Sequence, residues 1–209
     1  MYLPKHFEVT DAAALHDLVR RHPLAAWATV ADGLPVVNHV PFRLDATRGE
    51  LGTLVGHVAR ANPVWRTPAP SVLAFQAADG YVSPNGYPAK REHGKVVPTW
   101  NYAVAHAHGT PRIVDERDAL LAIVTRLTTV HEAAQPRPWA VGDAPADYIE
   151  QMLRAIVGIE IPVQRWEGKF KLSQNRSAAD VAGVVAGLRQ QRPTGGEALA
   201  AWMQEHAPR

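Results

Sequence analysis

Cysteine is absent from the 209 residues. That excludes disulfides, thiolate metal sites and a cysteine nucleophile. No run approaches the roughly 20 apolar residues of a membrane helix. Residues 1–11, MYLPKHFEVTD, lack the apolar centre of a signal peptide. The expected location is therefore the cytoplasm, with no membrane partner. No GxGxxG or Walker string marks a Rossmann or P-loop site. No Ser-His-Asp order, HExxH motif or paired carboxylates point to a self-contained hydrolase. No internal repeat or domain linker interrupts the chain. Lys and Arg form no block: net charge is +2 and pI about 9.0. A nucleic-acid binder concentrates its basic residues on one face, so DNA is a possible partner without a recognisable binding motif. The mild basicity fits an anionic small ligand better.

The chain reads as mainly β with flanking helices. Apolar spacing predicts a first helix over residues 11–21, capped by Thr10. Strands follow over 24–30 and 34–44, joined at an Asp32-Gly33 turn, and over 50–55. A short helix is predicted over 59–66 and a strand over 71–76, with Asp79-Gly80 turning it into 81–83. Residues 84–94 make a long polar loop of the kind that is usually functional. A central strand is predicted over 96–114, broken near Gly109. Helices over 115–132 and 146–155, a strand over 156–166, and helices over 177–190 and 197–204 complete the set. Hairpin joins imply antiparallel pairing, and six or seven such strands suggest a barrel. Residues 1–190 are expected to form one domain and 191–209 a C-terminal helical tail, punctuated by residues 193–196.

Four segments carry chemistry beyond packing. VVPTWNYAVAHAHG, residues 96–109, concentrates Trp100, Asn101, Tyr102, His106 and His108, groups that stack on a flat ring or bond to its edge. GTLVGHVARANPVW, residues 52–65, supplies Thr53, His57, Arg60 and Asn62. If a helix starts there, its free N–H groups and Arg60 favour a phosphate. YVSPNGYPAK spans residues 81–90. GKFKLSQNR, residues 168–176, places Lys169 and Lys171 with Ser173, Gln174, Asn175 and Arg176 in a polar cluster just after a strand, where they can bind phosphate or ribityl oxygens. Each segment alone is equally readable as core, cap or solvated surface. His106 and His108 share a strand face, but no carboxylate pairs with them to complete a metal site. Together the segments suggest a flat, anionic ligand such as a flavin nucleotide.

MYLPKHF, NHVPF, GTLVGHVARANPVW, YVSPNGYPAK, VVPTWNY, HAHG and GKFKLSQNR, in this order, resemble the PaiB family, described as FMN-binding negative transcriptional regulators. The resemblance runs from Met1 to about Leu188. It departs at Asn85-Gly86, where the family usually carries Ser-Trp. It implies an antiparallel FMN-binding split β-barrel, shared with pyridoxamine-phosphate oxidases and flavin reductases, a homodimer, and FMN as cofactor. It places Arg60 on the phosphate-binding arginine, with Ala59 and Ala61 in place of the serine and lysine beside it. The expected cofactor contacts are Thr53, His57, Arg60, Asn62, Thr99, Trp100, Asn101, Lys171, Ser173, Gln174 and Asn175. Three functions stay open: an FMN-binding regulator, a flavin-dependent oxidoreductase, and a haem-handling split barrel with a histidine such as His106 as axial ligand.

Overall fold

The elements follow in chain order as β1 (Glu8–Val9), α1 (Ala12–Arg21), β2 (Leu24–Ala31), β3 (Leu34–Pro41), β4 (Arg43–Asp45), β5 (Thr53–Ala59), β6 (Ser71–Val82), α2 (Ala89–Glu92), β7 (Thr99–Gly109), β8 (Arg112–Val114), α3 (Arg117–Glu132), α4 (Ala146–Arg154), β9 (Ile156–Lys171), α5 (Ala178–Gln190) and α6 (Gly196–Glu205). This computed structural model describes residues 1–190 and 196–206. The strands order as β3-β2-β6-β7-β9-β5-β4, with β1 and β8 also pairing to β9. Every defined register is antiparallel. The class is therefore mainly β with flanking helices. Among the described residues no helix is long and apolar enough to cross a membrane.

The first hairpin forms where Asp32-Gly33 predicts it. Asp32 and Gly33 hold φ of 52° and 78°, as a type I′ turn requires. The single run expected over 34–44 instead breaks at Phe42, which is buried against Gly56. A Cβ on Gly56 would lie 2.9 Å from the Phe42 ring. The strand expected from residue 50 begins at Thr53, after a bend through Gly49 and Gly52, both at positive φ.

Three further expectations need correction. Residues 59–66 form no α-helix. β5 runs through Ala59, and only a 3-10 turn, Pro63–Trp65, follows. Pro63 suits that first position, and the Asn62 side chain accepts from Val64 N at 3.0 Å, so a local cap takes the place of a longer helix. Asp79-Gly80 does not turn the chain: β6 is continuous across it. The inward set changes parity there, from Ala77 to Val82, and a Cβ on Gly80 would meet Leu199. The turn-like pair thus marks a bulge. Finally, β9 does not end at residue 166 but continues to Lys171.

Two compact units are distinguished: residues 1–18, 76–105 and 167 onward, and residues 19–75 with 106–166. In the first, α6 buries Leu199, Ala200, Trp202 and Met203. Trp202 meets Phe170 edge-on at 5.4 Å and stacks on His206 at 4.9 Å. The helical part of the expected tail is thus packed into this unit. Residues 191–195, including the predicted Pro193 punctuation, and 207–209 lie outside the described residues. In the second unit, α3 packs Ile123 and Leu127 against Val55 of β5, with Val114 alongside.

Candidate functional site

Along β7 burial alternates residue by residue. Asn101, Ala103 and Ala105 are fully buried, while Trp100 is 51% exposed and Tyr102 half-buried. A strand's period of two accounts for this. Asn101 therefore points to the side opposite Trp100. There its Nδ2 donates to Ser173 Oγ at 2.9 Å and meets Met203 Sδ of α6 at 3.6 Å. Its Oδ1 has no partner.

The Trp100 side carries a concentration of rings and positive charge. Trp100 Nε1 donates to Asp79 Oδ1 at 2.8 Å, and Gln76 holds the other Asp79 oxygen at 2.7 Å. Tyr81, 47% exposed, lies tilted to Trp100 with centroids 6.3 Å apart. Lys169 and Lys171 are two apart on β9 and share a face. Lys171 Nζ donates to Thr99 Oγ and, at 2.5 Å, to the Trp100 carbonyl. Lys169 is 7% exposed. Its Nζ donates to the Tyr2 carbonyl at 3.0 Å and lies 5.5 and 5.4 Å from the Tyr2 and Tyr102 ring centres. Neither ammonium has a carboxylate partner among the described residues. Burial, then the Lys169 charge, pushes the Lys171 pKa down. Two neighbouring, partly desolvated cations without a counter-ion are costly unless an anion joins them.

The turn beyond β9 is held from within. Ser173, buried, takes φ of 68°, a left-handed conformation rare for serine. Gln174 closes the turn, accepting from Leu172 N at 2.8 Å and donating to Phe170 O. Asn175 is exposed. Ser173 and Gln174 thus shape the turn that follows Lys171.

Thr53, His57, Arg60 and Asn62 belong to the other unit. Thr53 Oγ donates to the Arg48 carbonyl at 2.9 Å. His57 pairs across the ladder with Gly158, where a Cβ would meet Ile123 of α3 at 2.8 Å. Cross-strand partners share a face, so His57 lies beneath α3 beside Val55. Burial lowers its pKa, and its Nδ1 has no partner. Arg60 forks onto Asp115 with both η nitrogens, its Nε donates to the Arg154 carbonyl at 2.8 Å, and Nη2 also reaches the Ile156 carbonyl at 2.9 Å. That pairing raises the Arg60 pKa and lowers that of Asp115. Asn62 Nδ2 donates to Asn38 Oδ1 at 2.7 Å. The absent helix removes the N-terminal N–H groups expected to assist Arg60.

The polar loop over 84–94 is anchored on α5. Asp180 accepts from Ala89 N at 3.1 Å, and Gly183 lies against the Gly86 carbonyl. Lys169, Asp79, Tyr81 and Tyr2 were not among the expected contacts. The Lys-Phe-Lys alternation was a readable signal for Lys169. Nothing in the sequence linked Asp79 to Trp100.

The residues on the Trp100 side fit an anionic flavin nucleotide: aromatic faces for a ring, two unneutralised ammoniums for negative oxygens. The chain is 30% identical over 208 residues to "Protease synthase and sporulation protein PAI 2" of Bacillus subtilis (strain 168), covering 98% of this chain and 97% of that one. It is 31% identical to an uncharacterised protein of Emericella nidulans, again over 98% and 97%. Among solved structures it resembles the FAD and heme binding protein from Mycobacterium smegmatis, with a TM-score of 0.55 and 23% identity, covering 84% of this chain and 78% of that one. A conserved hypothetical protein of Mycobacterium tuberculosis, Rv2991, gives 0.57 at 13% identity over 85% and 94%. These neighbours share the antiparallel split-barrel fold. A family model described as "Putative FMN-binding domain" matches residues 1–165. The chain therefore belongs to that FMN-binding family, and its cofactor is a flavin.

Proposed function

We propose that this protein is an FMN-binding homodimer whose flavin contacts include Trp100, Lys171 and Thr99, with Lys169 adding positive charge. The observation that carries the reading is the Lys169–Lys171 pair, partly buried among aromatic rings with no carboxylate. Asn101, Ser173 and Gln174 act behind this face: they hold the turn that follows Lys171. Arg60 is the second anion candidate. Its fork on an exposed carboxylate, Asp115, is the geometry a phosphate takes on arginine, so a phosphate can replace Asp115 there.

Bound flavin supplies one- and two-electron chemistry. What this protein does with it is read from its relatives. The PAI 2 likeness supports a PaiB-like negative regulator of transcription acting in the cytoplasm, with FMN as its ligand. A flavin-dependent oxidoreductase uses the same residues. An absorption spectrum and mass analysis of the ligand released from purified protein test the cofactor: a band near ~450 nm and the FMN mass are expected. DNA binding that falls steeply with salt supports the regulator. Bleaching of the flavin by NAD(P)H supports the oxidoreductase.

A further inference from the structure

A second cationic site lies in the unit formed by residues 19–75 and 106–166, and none of the flavin contacts proposed above takes part in it. A hollow of about 570 Å³ is lined by Arg43, Asp45, Thr47 and Arg48 from β4 and the turn after it, and by Arg126, Thr129 and Val130 from α3. Its two carboxylate neighbours are already committed. Asp45 accepts from Arg43 Nη2 at 3.1 Å and from the Thr47 hydroxyl at 2.7 Å. Glu160 takes both η nitrogens of Arg48, at 2.6 and 2.7 Å, and also feels Arg112. Three guanidiniums, Arg43, Arg48 and Arg126, thus line the hollow against one carboxylate, Asp45. Arg43 Nε finds no acceptor. Arg126, exposed on α3, has no partner among the described residues.

Arginine presents a planar fork of donors that matches phosphoryl oxygens, and it keeps its charge at any working pH. Arginines are already oriented here by Asp45 and Glu160, so a ligand meets a partly preorganised site. The Arg126 fork and the remaining N–H donors of Arg48 are of the kind that takes an oxyanion; the Thr47 and Thr129 hydroxyls already donate, to Asp45 and to the Thr125 carbonyl at 2.9 Å. The hollow's volume lies in the range of small-ligand sites.

We propose that this hollow binds a phosphoryl dianion carried by a small molecule, separately from the flavin. The same chemistry can come from the phosphate of FMN itself, so the test separates the two sources. Inorganic pyrophosphate is titrated calorimetrically into the full chain saturated with FMN, at constant ionic strength held with chloride. The proposal expects saturable one-site binding. Arg126→Gln, an exposed position with no internal bond to lose, weakens it about tenfold or more, while Lys171→Gln leaves it unchanged. Circular dichroism melting confirms that both variants fold. Absence of saturable heat, or equal binding to wild type and Arg126→Gln, overturns the site. Loss in Lys171→Gln with retention in Arg126→Gln assigns the anion to the flavin contacts and also overturns it. FMN binding itself, read by its fluorescence, is unaffected by Arg126→Gln, so failure here leaves the flavin reading intact.

Discussion

Asn101 and Ser173, 72 residues apart, meet through a 2.9 Å hydrogen bond in which the Asn101 amide donates to a serine held at positive φ. The bond lies on the buried side of β7, whereas Trp100 and Lys171 lie on the other. Asn101 is thus a positioning residue for the 172–176 turn. Asn101→Ala removes the donor and leaves a void beneath Met203. Denaturant unfolding should show a loss of about 1–3 kcal/mol. An unchanged midpoint with weakened FMN binding would instead make Asn101 a direct ligand.

Two glycines on α5, four residues apart, should respond in opposite senses. A Cβ at Gly183 runs into the Gly86 carbonyl and lies 3.0 Å from Pro88, whereas a Cβ at Gly187 meets nothing within 4 Å. Gly187→Ala should raise stability by about 0.5–1 kcal/mol through helix propensity. Gly183→Ala should lower it by about 1–3 kcal/mol, because the loop over 84–94 must move away. Melting curves of the two variants decide this, and a shared sign would contradict the packing described.

His57 should make the protein acid-sensitive. Burial lowers its pKa in the folded state, while the unfolded chain keeps the ordinary value of about 6.5. Below that value the unfolded state binds more protons, so stability falls as pH drops from about 6.5 toward the folded pKa and levels off beneath it. His57→Leu, set among Val55 and Ile123, should flatten this stretch of the stability–pH curve. A slope that persists in the variant would assign the sensitivity to another group.

Arg60 is held by Asp115, so the carboxylate competes with any phosphate for the same fork. Asp115→Asn weakens that competitor and should tighten FMN while leaving riboflavin, which lacks the phosphate, unchanged. Unaltered FMN affinity would confine Arg60 to tying residue 60 to residues 115, 154 and 156.

Much of the architecture was legible because it rests on local signals. Asp32-Gly33 specified its hairpin through backbone conformation alone, and the apolar spacing of Leu120, Ile123 and Leu127 specified α3. The same pair type misled at Asp79-Gly80, because a bulge and a turn both use residues that tolerate unusual backbone, and only packing against Leu199 selects between them. Residues 59–66 read as helix on composition, but Asn62 and Pro63 cap a single 3-10 turn. At the candidate site, Thr99, Trp100, Asn101, Lys171 and Ser173, from two segments that the sequence singles out, do meet. Strand parity puts Trp100 and Asn101 on opposite sides of β7. The Arg60–Asp115 and Asn101–Ser173 partners are set by long-range pairing that no local pattern encodes.

The central claim is that the Lys171 ammonium, left without a carboxylate beside Trp100, is completed by the negative charge of a flavin nucleotide. Fluorescence titration of FMN and of riboflavin into wild type and Lys171→Gln tests it most directly. The account predicts that the substitution weakens FMN about tenfold or more and riboflavin only slightly, in a variant that still melts cooperatively. Equal affinities of wild type and variant for FMN, or an equal loss for both ligands, would contradict it.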